Sequence, residues 1–150
     1  MDSLLNVDVS NFLPHRKPML MVDSVVDNQP DALTTRFYIS KNCVFLKNGR
    51  LSEAGLIENV AQAASGVVGK TFFDKNDLEG KGNRLVGYIS AIRKVEISYL
   101  PKMGDTLITR AKLISRLDTD GVTMCSLEAE TFLKGKLIVS STMNFLIHEV

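Results

Sequence analysis

Glu58 and Gln62 are the two residues of this sequence whose types and spacing most suggest chemistry. They stand four apart in Leu56-Ile57-Glu58-Asn59-Val60-Ala61-Gln62-Ala63-Ala64, so on a helix the carboxamide lies over the carboxylate and can orient it. A carboxylate among apolar neighbours is costly unless it is partnered or protonated. Two readings stay level: a solvated carboxylate on the helix's wet stripe, or an acid or base with a raised pKa. His15, held in Pro14-His15-Arg16-Lys17-Pro18, is the second candidate, and His148 is the other histidine. A histidine beside proline is more often a loop residue satisfied by backbone than a catalytic base. Asp23 and Glu96 are expected to pair with a Lys or Arg, and Tyr88, Tyr99 and the phenylalanines to serve as core aromatics. Cys43 and Cys125 lie far apart without a neighbouring histidine. A zinc centre needs about four ligands at set spacing, so none is expected here, and both thiols are expected reduced and mostly buried.

These residues need elements to hold them. Ser10 to Leu13 reads as a short helical turn stopped at Pro14, and Pro14 to Pro18 is closed to regular helix. The spacing predicts strands over 19–26 and 32–40 around a turn at Asn28-Gln29-Pro30-Asp31. From Ser52 the pattern becomes helical to Gly69, with Ser52 as N-cap, Glu53 in the first turn, and Leu56, Val60, Ala63, Ala64 and Val67 on one face. A polar stretch from Asp74 to Arg84 follows. The rest reads as strands: 82–99, closed by Pro101 and Gly104-Asp105, then two that meet at Asp118-Thr119-Asp120-Gly121. A last strand after the hairpin Lys134-Gly135-Lys136 alternates Leu137, Val139, Met143, Phe145 and Ile147. One buried helix with a meander of long antiparallel strands is an α+β plan, and the sheet must curl round the helix to bury it.

The whole chain fits this plan as one domain, 1–150. It has 150 residues, 45% of them hydrophobic and 23% charged, which suffices for a packed core. Lys+Arg of 18 against Asp+Glu of 17, with signs scattered, argues against a nucleic-acid surface. The basic positions at Arg16-Lys17 and between Lys47 and Arg50 are enough only to touch an acidic partner protein. No apolar run approaches the roughly 20 residues of a membrane helix. Met1-Asp2-Ser3-Leu4-Leu5 lacks the basic head of a secretory signal, so a cytoplasmic protein is expected.

Three segments carry a resemblance. Leu13-Pro14-His15-Arg16-Lys17-Pro18-Met19-Leu20-Met21-Val22-Asp23 resembles the LPHR-x-P-x-L-L-V-D segment of the beta-hydroxyacyl-acyl carrier protein dehydratases of the hotdog fold. Leu56 to Ala64 resembles that family's helix motif, L-I-x-E-x-x-A-Q-A in outline. Ile92-Arg93-Lys94-Val95 with Gly104-Asp105 is similar to the strand and turn that follow. The resemblance implies a hotdog: a long central helix wrapped by a curled antiparallel sheet. It also implies dehydration of a beta-hydroxyacyl thioester to the trans-2-enoyl thioester, which needs a base for the Cα proton, an acid for the departing hydroxyl and donors for the thioester oxygen.

In the family, a His and a Glu or Asp supply the acid and base across a dimer interface. Glu58 matches the carboxylate. The helix-start amide that binds the carbonyl falls at Glu53, where Ser52-Glu53 replaces the family's Pro-Gly. Counting back from Glu58, the histidine of the G-H-F-P motif falls on Val44, in Cys43-Val44-Phe45-Leu46; Phe45 fits and the histidine is absent. Three readings follow: His15 moves in as the base; a hotdog thioesterase works through Glu58; or a degenerate subunit binds acyl chains or acyl carrier protein beside an active partner. The apolar helix, Phe45 and Met19-Leu20-Met21 are candidate substrate walls, with core packing as the plainer role for each, and Gln62 is a candidate substrate-binding residue. The resemblance further implies no cofactor, a thioester carried by acyl carrier protein or coenzyme A, and a homodimer joined at edge strands, with larger assemblies of dimers left open.

Overall fold

The structure, a computed structural model, describes residues 8–9, 13–72 and 85–149. Strands β1 (Ser24–Gln29) and β2 (Ala32–Tyr38) form a hairpin, and β3 (Leu46–Lys47) with β4 (Arg50–Leu51) a very short one. Helix α1 (Glu53–Phe72) follows. Then come β5 (Leu85–Ile97), β6 (Thr106–Thr119), β7 (Val122–Leu133) and β8 (Lys136–Glu149). Six strands make one sheet in the order β1-β2-β6-β7-β8-β5, every neighbouring pair antiparallel.

Alternation builds the core between sheet and helix. Leu107 and Ala111 on β6, Leu127 and Ala129 on β7, and Val139, Met143 and Phe145 on β8 all face inward. They meet the α1 face of Leu56, Val60, Ala63, Ala64 and Val67, as the 3.6-residue period predicts. Register shifts at Ile89/Ala91 and Ile92/Lys94 on β5 and at Leu113/Ser115 on β6 mark bulges, which bend long strands. The sheet thereby curls round α1, and the α+β hotdog expected from the sequence is the fold observed. Ser52 caps α1 as expected: its hydroxyl accepts from the Gly55 N–H at 3.3 Å and its carbonyl from the Leu56 N–H at 3.0 Å.

Several expectations need correction. The apolar run from Met19 is strand only from Ser24, which continues to Gln29, so the turn narrows to Pro30-Asp31. Met19 to Met21 is instead fastened to α1, whose side chains meet the Met19 carbonyl and both backbone groups of Met21. Asp23 pairs with no cation among the described residues; its carboxylate accepts the Tyr38 N–H at 2.6 Å. Tyr88 and Tyr99 are exposed, the first stacked on His148 and the second beneath the Arg50 guanidinium. Cys43 is only half-buried, whereas Cys125 is buried. A bulge near Ile138 turns that residue inward and leaves Leu137 exposed, and beyond Leu113 β6 outruns the helix, so Leu117 is exposed too. Glu96 does pair with Lys94, at 3.1 Å. The helical turn expected at Ser10–Phe12 and the polar stretch at 74–84 lie outside the described residues. No helix among the described residues is long and apolar enough to cross a membrane.

Candidate active site

The site is built where the segment 13–23 crosses α1. That segment turns tightly, the Arg16 carbonyl accepting from the N–H groups of Met19 at 2.8 Å and Leu20 at 3.0 Å, through a cis Lys17–Pro18 bond. Arg16 folds back on its own backbone, its guanidinium donating to the carbonyls of Leu13 and His15. Two polar residues of α1 then fasten the strip that follows. Gln62 is completely buried; its Oε1 accepts the Met21 N–H at 2.6 Å, and its Nε2 donates to the Met19 carbonyl at 2.9 Å. Asn59, also completely buried, donates to the Met21 carbonyl at 2.7 Å.

The i, i+4 geometry read from the sequence is present: Gln62 Nε2 also donates to Glu58 Oε2 at 2.9 Å. Glu58 is half-buried, with one carboxylate oxygen held by Gln62. His15 lies within electrostatic reach of it. Burial holds the His15 imidazole below its ordinary pKa; the Glu58 carboxylate pulls the other way, and Arg16 adds to the depression. His15 Nδ1 is buried with no hydrogen-bond partner among the described residues. The backbone satisfaction expected of a loop histidine does not reach that nitrogen.

The remaining candidates lie at the start of α1 and in the loop before it. Glu53 opens α1, and among the described residues no acceptor meets its N–H, which sits at the positive end of the helix dipole. Phe45 is partly buried beside Gly55, and its carbonyl accepts the Ser52 N–H at 2.9 Å, which ties the loop to the helix start. Val44, at the position of the family's histidine, is half exposed. Met21 is a core residue, whereas Met19 is exposed. Among the described residues no group of three or more His, Cys, Asp or Glu is placed to hold a metal ion.

Sequence reasoning missed Asn59 and its neighbours Thr109 and Thr131, all fully buried. The signal was available. An Asn amid Leu56, Val60 and Ala63 has to be hydrogen-bonded if that face is core. Also missed was the Asn48-Gly49 hairpin, whose positive φ values of 54° and 76° are those a two-residue primed turn demands.

Comparisons with known proteins show the family and the fold. The model of the ApeP-like family, described as the ApeP dehydratase, matches residues 7–147, and the chain belongs to that family. It is 31% identical over 141 residues to a 3-hydroxyacyl-[acyl-carrier-protein] dehydratase FabZ of Streptococcus sanguinis, covering 93% of this chain and 94% of the relative. It is 32% identical over 142 residues to the FabZ of Streptococcus agalactiae, covering 93% and 95%. In structure it matches a chain of the dehydratase heterocomplex ApeI:P from Xenorhabdus doucetiae with a TM-score of 0.76 at 22% identity, over 96% of this chain and 91% of that one. A thioesterase from Haemophilus influenzae matches at 0.61 and 12% identity, over 84% and 78%. At such identities these last two speak for the fold alone.

Proposed function

We propose that this chain is a hydro-lyase acting as a single hotdog domain, which eliminates water from a (3R)-hydroxyacyl thioester to give the trans-2-enoyl thioester. The observation that carries the reading is Glu58, held by Gln62, with the unsatisfied His15 imidazole in its field. Elimination breaks the Cα–H and Cβ–O bonds and forms Cα=Cβ; the proton taken from Cα balances the one that leaves with the hydroxyl as water. A carboxyl–imidazole pair with one proton between them suffices. His15 takes the Cα proton, Glu58 hands one to the departing hydroxyl, and transfer from His15 to Glu58 resets the pair. The Glu53 N–H supports the thioester oxygen as charge develops there. Phe45 and Gln62 border the acyl group. The reaction needs no redox or metal cofactor.

The carrier is acyl carrier protein or coenzyme A, and the setting is the cytoplasm. The protomer pairs through the outer edge of β5, as a homodimer or with a related subunit. Val44 favours the second form of assembly, since a partner that keeps a histidine at that position can complete the site beside Glu58.

An assay of the protein, alone and with a candidate partner, on a beta-hydroxyacyl thioester decides this. Enoyl product and free thiol are followed together in the parent, Glu58→Ala and His15→Ala. Enoyl formation lost in both variants establishes the His15–Glu58 pair. If product forms only with the partner and ignores His15, the partner supplies the base. Thiol release that needs Glu58 alone overturns dehydration in favour of hydrolysis.

A further inference from the structure

The polar contacts of Asn59 and Gln62 extend into the sheet as one directed chain. Thr109 Oγ1 on β6 lies 2.6 Å from Asn59 Oδ1 and 2.8 Å from Thr131 Oγ1 on β7. Both ends fix the direction of every bond. Met21 offers a backbone N–H to Gln62 and a carbonyl to Asn59, so the Gln62 oxygen faces Met21 N–H and the Asn59 nitrogen faces Met21 C=O. Asn59 Oδ1 therefore points at Thr109, whose only hydroxyl proton is donated to it, and Thr131 must donate to Thr109. At the other end the two Gln62 protons go to Met19 C=O and Glu58 Oε2. No amide in the chain is free to flip.

An apolar residue at 59 would leave the buried Met21 carbonyl without its partner, and Thr109 with Thr131 meets the amide oxygen that this clamp leaves over. We infer that Asn59, with Thr109 and Thr131 behind it, is a positioning device for the site. It clamps the carbonyl of Met21 while Gln62 clamps the N–H, and so fixes the segment that carries His15 and the rotamer of Glu58 together. Glu58 Oε2 is thereby committed to Gln62, and Oε1 is the oxygen presented to a substrate. The inference rests on the proposed acid–base site for its catalytic meaning, while the clamp itself stands on the hydrogen bonds alone.

The test compares Thr109→Val, which keeps shape and removes the hydroxyl, with Thr109→Ser, which restores it. Each is assayed below its melting temperature per folded molecule, in whatever assembly the parent is active. Thr109→Val is expected to lose about 10-fold or more in kcat with KM little changed, since small misplacements of reacting groups are expensive. Thr109→Ser is expected to recover it. Thr131→Val is expected to follow in the same direction with a smaller loss. A lower melting temperature with kcat unchanged, or a loss that serine does not rescue, overturns the inference and leaves the network a structural one. If the parent turns over no hydroxyacyl thioester, the functional reading fails by itself. The clamp is then decided by the carbon-13 chemical shift of the Glu58 carboxyl group at neutral pH, which changes in Thr109→Val and returns in Thr109→Ser; no change overturns it.

Discussion

Glu58 enters its site with one oxygen already engaged, and that contact was legible before any coordinates, because residues four apart on a helix must meet. The approach of His15 was not legible. It depends on the fold of a proline-bracketed segment whose anchors are backbone atoms of Met19 and Met21, and backbone atoms leave no trace in residue identity. The depressed pKa of His15 gives this placement a measurable consequence. Its native pKa lies below the ordinary value of about 6.5, so the unfolded chain takes up the proton first as pH falls. The resulting loss of stability is absent above that ordinary value and grows as pH drops below it toward the native pKa. Denaturant titrations of the parent and His15→Gln between neutrality and mild acid are expected to converge as pH falls, the variant showing the shallower slope. Equal slopes would remove His15 from the account. The same depression keeps the imidazole neutral at pH 7, the form a base requires.

At the scale of elements, the periodic segments were readable and the exceptions share a cause. Helix α1 and the long hairpins follow from repeat and turn chemistry, down to Lys134-Gly135 with both φ values positive. The run Met19–Val22 has the composition of a buried strand and is buried in part, but the Met19 carbonyl and both backbone groups of Met21 are met by Gln62 and Asn59 instead of a neighbouring strand. Composition reports burial, and it is silent on who supplies the hydrogen bonds. The start of α1 is the element most sensitive to a small change. A Cβ on Gly55 would lie 2.5 Å from Leu51 Cδ1 and 2.7 Å from Phe45 Cβ, with Leu51 fully enclosed. Overpacking of this kind costs about 1–3 kcal/mol, against a gain of about 1 kcal/mol in helix propensity. Gly55→Ala is therefore expected to melt earlier than the parent by calorimetry, and to weaken turnover by shifting the Glu53 amide. A variant more stable than the parent would mean that the loop at Phe45 gives way freely.

The whole molecule is defined by how its sheet ends. Among the described residues β5 pairs only with β8, and its other side is an edge of 13 residues bearing exposed Tyr88, Ile89 and Ile92. The edge was visible in the sequence as a long strand, but the order of strands that leaves it outermost was not, since β5 skips β6 and β7 to reach β8. Ile92→Lys is expected to shift the particle toward the monomer in light scattering while leaving circular dichroism unchanged; an unaltered mass would place the assembly surface elsewhere. An edge of this length and polarity also accepts strands indiscriminately, because backbone groups recognise any extended chain. If a partner covers β5 as proposed, a cell that makes this chain in excess of that partner accumulates a template for insoluble aggregates. Its yield in soluble form is then governed by the stoichiometry and timing of synthesis as much as by the stability of its own fold.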